Sequence, residues 1–592
     1  MEDGGSQAEA EVEAQAEPAG DGGQGGKGVF FRRHAVLLAA LLLLAVCTWL
    51  FGWKIGDYSL NDPWEPRYPQ VVREMLDRGD YITPYHGGEI RWAKPVGFYW
   101  AELLPVVIFG NNEFSARLPS VLFGILGVLA LFWCLLELRG LQTALIGAFA
   151  LASMPLYYFM ARQAMPDMMM AGSLIASMGF FALGRFGAEG GRRRRFLVAY
   201  AFLGLAVLAK GPLAAVLFAG ALLMFWLVDL DPARLLSARR LWEDLRRAWR
   251  FYHVGWGLLI FAAIALPWYA AIWIQHGSAF VDSFILEHNV DRLTGTAHVG
   301  LAGSSAHYLE TILHGMYPWL GFAVGALFFF SPGRERLSEE GRQAWYFLSW
   351  ATFIFVFFTL ANTKLDHYIL PATAPLAALV ALVWERYLAR ETAWWIRVAF
   401  VVALVFTALP IRDFVSVSNV LIMDAFTNKK EIVGVDVETP LLVFLGVWAA
   451  LQLVAVLRLR SKAIAAGTVA CALALAVFFS HHVLPSQEHM RSTKQYVEIF
   501  KAESPPGGVM LYYGKIRHTV TYYLGGEDKY IHYHRNQSDD LARYARDRRD
   551  VFIIAEVQFA SRLARSLEKL SGKRWKIVSR SNPHFALIRN VD

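Results

Sequence analysis

Charge and cysteine are both scarce in this sequence, and each scarcity excludes a class of protein. Only 18% of the 592 residues are charged, while 56% are hydrophobic. A soluble domain of ordinary kind cannot hide that much apolar surface in a core. The three cysteines, Cys47, Cys134 and Cys471, all fall in apolar runs without metal-like spacing, so no disulfide framework or cysteine metal site is expected. The opening stretch MEDGGSQAEAEVEAQAEPAGDGGQGGKG lacks aromatics and lacks the basic start and short apolar core of a signal peptide. Residues 1–28 are therefore expected to be a disordered cytoplasmic tail. Neither a nucleophile elbow nor a phosphate loop occurs.

Long apolar runs dominate what remains. They cover roughly residues 35–53, 118–138, 141–160, 168–186, 196–212, 213–229, 254–274, 312–331, 343–361, 367–384, 394–410, 440–457 and 463–483. Each suits a helix crossing a ~30 Å hydrocarbon layer, so a polytopic α-helical membrane protein with about thirteen spans is expected. Alternate connections are short and basic: FRRH, Arg139, GRRRR (191–195), RRLWEDLRRAWR (239–250), GRERL, ERYLAR and RLRSK. The positive-inside rule places these, and the N-terminus, in the cytoplasm. The arginine clusters are thus topological, and the net charge of +7 implies no nucleic-acid partner. An odd number of crossings puts the C-terminus outside.

The other connections carry aromatics, prolines, histidines and carboxylates. They include NDPWEPRYPQ and RWAKPVGFYW within a large first loop (54–116), ARQAMPDMMM, LAKGPL, ILEHNVDRLTGTAH and NTKLDHYILP. Ionisable side chains at membrane depth cost ~2.5–3.5 kcal/mol each, so five such clusters on one face point to an outward-facing site. Beyond residue 484 the apolar spans stop. VMLYYG, YIHYH, VFIIAE, RWKIVSRS and HFALIRN read as strands, with helices over EHMRSTKQYVEIFKAE, DDLARYARDRRD and FASRLARSLEKL. Residues 485–592 are expected to form an extracytoplasmic α/β domain behind a membrane domain of residues 29–484. The pairs His532/His534 and His481/His482 read as edge-strand and interfacial polarity rather than metal ligands.

Outside the cytoplasm no nucleotide-activated donor is available, and a lipid-linked sugar phosphate meets the need. Its leaving group is already anionic and calls for fixed positive charge. A hydroxyl acceptor calls for a carboxylate base, and a phosphate acceptor for little help. The clusters supply Asp62, Glu65, Asp167, Glu287 and Asp366 as carboxylates, and Arg67, Lys94, Arg162, Lys210, Arg292 and Lys364 as cations. Asp167 also suits a helix N-cap, and the lysines suit snorkelling to the interface.

The ordered set of these motifs, over roughly residues 35–385, resembles bacterial membrane glycosyltransferases of the C-type fold. It is similar in particular to the aminoarabinose transferases that modify lipid A and to protein mannosyltransferase-like proteins. That resemblance implies inverting transfer of a sugar from undecaprenyl phosphate to an envelope acceptor (lipid A-like lipid, protein or glycan) at the outer face of the bacterial inner membrane. The family's Asp-Glu-x-Arg-Tyr pattern here reads Trp64-Glu65-Pro66-Arg67-Tyr68, which leaves Asp62 or Glu65 as the catalytic carboxylate, alongside Asp167. The family's Glu-Lys-Pro reads Ala93-Lys94-Pro95, keeping the lysine and losing a glutamate that takes part in a metal site in such proteins. A divalent metal is therefore left open and no other cofactor is implied. Arg67, Tyr68, Lys94, Lys210, His288, Arg292, Lys364 and Tyr368 match by motif and are expected around the donor's lipid phosphate. A polyprenyl-linked lipid or glycan transporter or flippase is the alternative; it would carry inverted repeats and mid-span charges, and neither is evident.

Overall fold

The computed structural model describes residues 22–229, 237–291, 301–302, 306–327, 338–389, 394–416, 438–457, 461–486, 492–514, 517–546, 548, 550–579, 582 and 584–590. The chain divides into two units, Met1–Leu42 and Leu43–Asp592, so the C-terminal sheet and the helices preceding it belong to one body. Residues 22–28, expected in the tail, are instead the start of the Gly22–Gly52 helix. Extending a helix from an apolar run costs far less than nucleating one.

Among the described residues eight helices are long and apolar enough to cross a membrane. Four causes separate that number from the thirteen crossings expected. Pro155 has no N–H to continue the ladder, and Leu141–Ser153 and Pro155–Ala161 meet at a 69° bend. The expected span at 312–331 is broken into His307–Gly315 and Leu320–Leu327 at Pro318, which has no N–H to continue the ladder, and residues 328–337 lie outside the described residues. Arg192–Lys210 is helical throughout but opens on four arginines. Gly97–Phe109, Leu213–Leu227 and Trp394–Ala408 are apolar but shorter.

Two helices form the centre. Pro166–Phe186 is buried over 94% of its most apolar window and Asp366–Leu388 over 83%. Pro166–Phe186 packs between Glu113–Arg139 and Arg192–Lys210. Its approach to the first of these is close: a β-carbon on Gly172 would stand 2.2 Å from the Phe123 carbonyl oxygen, so only glycine fits.

The first loop is folded rather than extended. Arg67–Arg78 is a helix ended by Gly79 in the left-handed region (φ 67°), and a small hairpin pairs Tyr85–His86 with Glu89–Ile90. The Gly97–Phe109 helix follows. Asn112 then caps Glu113–Arg139 reciprocally with Ser115.

The stretches read as strands near the C-terminus form a five-stranded sheet. In spatial order its strands are Tyr530–Tyr533, Val509–Tyr513, Val551–Glu556, Phe585–Asn590 and Trp575–Ser579, the first two pairings parallel and the last two antiparallel. Alternation along the central strands divides two cores. Leu511, Ile553 and Ile588 face the Ser538–Arg546 and Val557–Ser571 helices, whereas Met510, Phe552, Ile554 and Leu587 face Lys494–Glu503 and His518–Leu524. His518–Leu524, unforeseen in the sequence, docks the sheet on the first loop. The Tyr523 hydroxyl accepts from Leu60 N (2.8 Å) and donates to Glu113 (3.0 Å), the Tyr522 hydroxyl donates to Asn111 (2.9 Å), and Lys494 pairs with Glu113 at 2.8 Å.

Candidate active site

The structure puts both first-loop carboxylates to work as anchors. Glu65 is 1% exposed and pairs with Arg117, which is fully buried. Arg117 Nε and Nη2 each donate to one Glu65 oxygen at 2.9 Å, and Asn61 N and Ala164 N complete the set at 2.8 Å. The rest of the guanidinium donates to the carbonyls of Ile55, Tyr58 and Ser59. This bidentate pair ties the exit of the first membrane helix to the start of the next and to the chain just ahead of Asp167. Asp62 is buried as well. Its Oδ1 accepts from His518 N (2.8 Å) and Thr519 N (3.2 Å), and its Oδ2 from the Thr519 hydroxyl, so it caps the docking helix. Burial lifts the Asp62 carboxyl above its usual range, while the Thr519 hydroxyl and Arg517 oppose that shift.

Asp167 is in different company. It is the second residue of Pro166–Phe186, after a proline whose fixed φ and missing N–H suit a first helical position. Its carboxylate, 2% exposed, bonds to Lys210 Nζ and stands 3.6 Å from His367 Nε2. Lys210 ends the Arg192–Lys210 helix, so a helix start and a helix end bring complementary charges to one point. The Lys210 ammonium lies 4.4 Å from the centre of the Tyr368 ring. Lys94 is near enough to act electrostatically on both Asp167 and His367. Its position follows from Gly97, where a β-carbon would come within 2.5 Å of the Leu208 carbonyl oxygen, pressing the loop's return onto the end of the Lys210 helix. On the other side the Trp64 ring meets His367 edge-on at 6.3 Å, and the Arg67 guanidinium lies 5.1 Å over Trp64. Burial, then Arg91, lowers the Arg67 guanidinium to about 10.

Of the expected residues, Asp167, Lys210, Lys94, Tyr368 and Arg67 therefore converge, and Asp62 and Glu65 do not. Tyr68 is buried against Phe98 and Tyr99 and packs the loop. Lys364 donates to the Thr359 and Ala361 carbonyls at 2.8 and 3.0 Å, closing the C-terminus of Glu339–Leu360. Arg162 likewise donates to the Leu50, Phe51 and Trp53 carbonyls. Asp366 faces His307 at 3.1 Å, and Glu287 is exposed. Arg292 and the side chain of His288 lie outside the described residues. Among the described residues no three His, Cys, Asp or Glu side chains stand close enough to hold a metal ion, and no step below is routed through one.

Three contributors escaped the sequence reading. His367 sits between two residues singled out there, Asp366 and Tyr368, so its motif held the signal. Trp64 looked like the loss of an acid and is a wall of the site. Arg117 had no local signal, its partner being 52 residues away.

Comparison with known proteins agrees with the motifs. Residues 93–268 match the family model for dolichyl-phosphate-mannose-protein mannosyltransferase. The undecaprenyl phosphate-alpha-4-amino-4-deoxy-L-arabinose arabinosyl transferase of Edwardsiella ictaluri (strain 93-146) is 31% identical over 324 residues, covering 54% of this chain and 55% of that one. The Yersinia pestis (strain Pestoides F) protein of the same name is 30% identical over 351 residues, 58% of each chain. The chain thus spans a little over half the length of the curated relatives it matches. In fold the likeness runs further. The crystal structure of ArnT from Cupriavidus metallidurans bound to undecaprenyl phosphate superposes with a TM-score of 0.67, covering 94% of this chain and 98% of that one at 19% identity. The chain thus resembles aminoarabinose transferases over a little more than half of its length, and its fold is that of the ArnT structure.

Proposed function

We propose that this protein is an inverting glycosyltransferase that moves a sugar from a polyprenyl (undecaprenyl) phosphate donor to an envelope acceptor at the outer face of a bacterial inner membrane. The observation that carries the reading is the Asp167 centre, one buried carboxylate among Lys210, Lys94 and His367, in a chain similar to transferases named for that donor. In this reading thirteen crossings leave the N-terminus cytoplasmic and residues 485–592 in the periplasm, with the first loop, 54–116, between sheet and membrane.

In the step itself an acceptor oxygen attacks the anomeric carbon from the face opposite the phosphate. The bond from that carbon to the phosphate oxygen breaks, and its electron pair stays on the departing lipid phosphate. Lys94 and Lys210 neutralise that phosphate as point charges, with Tyr368 as a hydroxyl donor at its edge. Asp167 fixes the Lys210 ammonium and orients the His367 imidazole, which takes the acceptor proton where there is one. Arg292 and His288 keep the donor-phosphate role that the motif implies. Glu65 and Asp62 hold the loop that carries Trp64 and Arg67. The acceptor is a lipid A-like lipid, a protein or another glycan.

The test is transfer in detergent from undecaprenyl phosphate-linked 4-amino-4-deoxyarabinose, read by mass spectrometry of envelope lipids and glycoproteins. Lys94→Ala and Asp167→Asn should each abolish it. Full transfer by Asp167→Asn would sink the proposed centre, and lipid movement across vesicles with no sugar transfer would favour the transporter reading.

A further inference from the structure

We propose that Arg67, Arg91 and Arg517, gathered around His518 and His86, bind a phosphate-like anion where the first loop meets the C-terminal sheet. Assigning that anion to the acceptor rests on the transferase reading; the anion site itself does not.

The sheet contributes directly. His518 opens the docking helix, and its ring meets that of His86, on the loop hairpin, at 5.1 Å. Arg67, Arg91 and Arg517 all act electrostatically on His518. Three like charges are thus held together, and the acids around them are already engaged. Asp62, which acts on Arg67 and feels Arg517, is taken up by His518 N, Thr519 N and the Thr519 hydroxyl. Glu74, which acts on His86, is held by Gly87 N, Gly88 N, Gln70 and Arg78. Arg91 spends its Nε on the Tyr99 hydroxyl at 3.2 Å. Arg67 Nε, Arg517 Nε and His518 Nδ1 are buried without a hydrogen-bond partner.

Buried donors without acceptors, beside three like charges that Asp62 balances only in part, are a cost that folding alone does not offset. Aromatic faces orient the forks without neutralising them: Arg67 lies over Trp64, and Arg517 over Phe585 at 5.2 Å. Three guanidiniums and two imidazoles offer more converging donors than the two oxygens of a carboxylate can use. Phosphate, with three or more free oxygens, suits them. Arg67 and Trp64 also connect this cluster to His367 and Asp167, so an anion held here lies beside the reaction centre and apart from the Lys94–Lys210 contact proposed for the donor.

The experiment titrates inorganic phosphate calorimetrically into the full chain in non-ionic detergent, carrying Lys94→Ala to weaken the donor-phosphate contact. Residual phosphate binding is expected, weakened tenfold or more by adding Arg517→Gln and largely kept by Arg517→Lys. No residual binding, or binding unchanged by Arg517→Gln, overturns the site. If Arg517→Gln does not fold, Arg91→Gln in the same titration decides. Repeating the titration in nanodiscs separates the sources: phosphate displaced by phosphatidylglycerol places the anion in the bilayer, and phosphate bound equally with phosphatidylcholine alone assigns it to the acceptor. Phosphate binding by the Lys94→Ala chain, together with no sugar transfer by the unsubstituted chain, would remove the transferase reading and leave the site standing.

Discussion

Glu65 and Asp167 are both buried carboxylates paired with a long cationic side chain, yet their surroundings differ. Each Glu65 oxygen accepts two hydrogen bonds, and the donors of Arg117 are spent on Glu65 and three carbonyls. That arrangement is closed, and closing it fixes three segments of chain. Asp167 instead shares its space with Lys210, His367 and Lys94, and meets a side chain from each of two other helices rather than one matched fork. A carboxylate beside an imidazole and two ammonium groups at a helix-end junction suits chemistry, whereas one matched donor for acceptor suits structure. The acid motif of the sequence therefore ties the loop together, and the centre proposed above lies one loop further on.

The sharpest way to break this contrast is at Asp167. Asp167→Asn, which releases Lys210 and leaves the His367 base unoriented, should lower transfer by about 10²–10⁴-fold, the usual scale for disabling an acid–base group, measured as initial rate per folded molecule. A loss of less than about tenfold would leave the two carboxylates functionally alike. Next is Glu65→Gln, which strands Arg117 in the interior. Breaking a buried pair costs about 3–5 kcal/mol, so the thermal midpoint should fall steeply while the folded fraction still transfers sugar. A Glu65→Gln chain of normal stability and no activity would reverse the assignment.

Lys364 offers a smaller test of the same idea. Its ammonium closes a helix end, so Lys364→Met should cost about 1 kcal/mol of stability, the scale of a lost hydrogen bond, and leave transfer within a few-fold of normal. A Michaelis constant for donor raised tenfold at unchanged stability would return Lys364 to the lipid phosphate.

Legibility followed the range of the interaction. The apolar runs and the strands of the C-terminal sheet were readable because periodicity is local. Asp167, Lys210 and Tyr368 stood out because each sits in a short motif at a helix end, and the structure brings their side chains together. What the sequence concealed depends on distant partners. Glu65 is held by Arg117, and Asp62 by the backbone of His518 and Thr519 from across the chain, 456 and 457 residues away, and neither partner has a local signal. Trp64 reads as a defect in a motif because the motif does not show His367 against its ring.

The smallest expected effect separates the Asp62 anchor from the cation cluster beside it. His86 is lowered from 6.5 to about 4, by burial first and then by Arg91, and His518 to about 2, by burial and then Arg67. Between those values and 6.5 the unfolded chain takes up protons that the folded chain refuses. The stability held by the neutral rings is therefore complete above about pH 6.5 and declines as pH falls below it. The thermal midpoint of the full chain should drop modestly from pH 7.5 to pH 5, and His86→Gln should flatten the slope. Saturating phosphate should flatten it too, because a bound anion favours the protonated rings and raises their affinity for protons. A midpoint that rises on acidification in the absence of any anion would mean that the imidazoles face net negative charge, and that Asp62 rather than the arginines governs this junction.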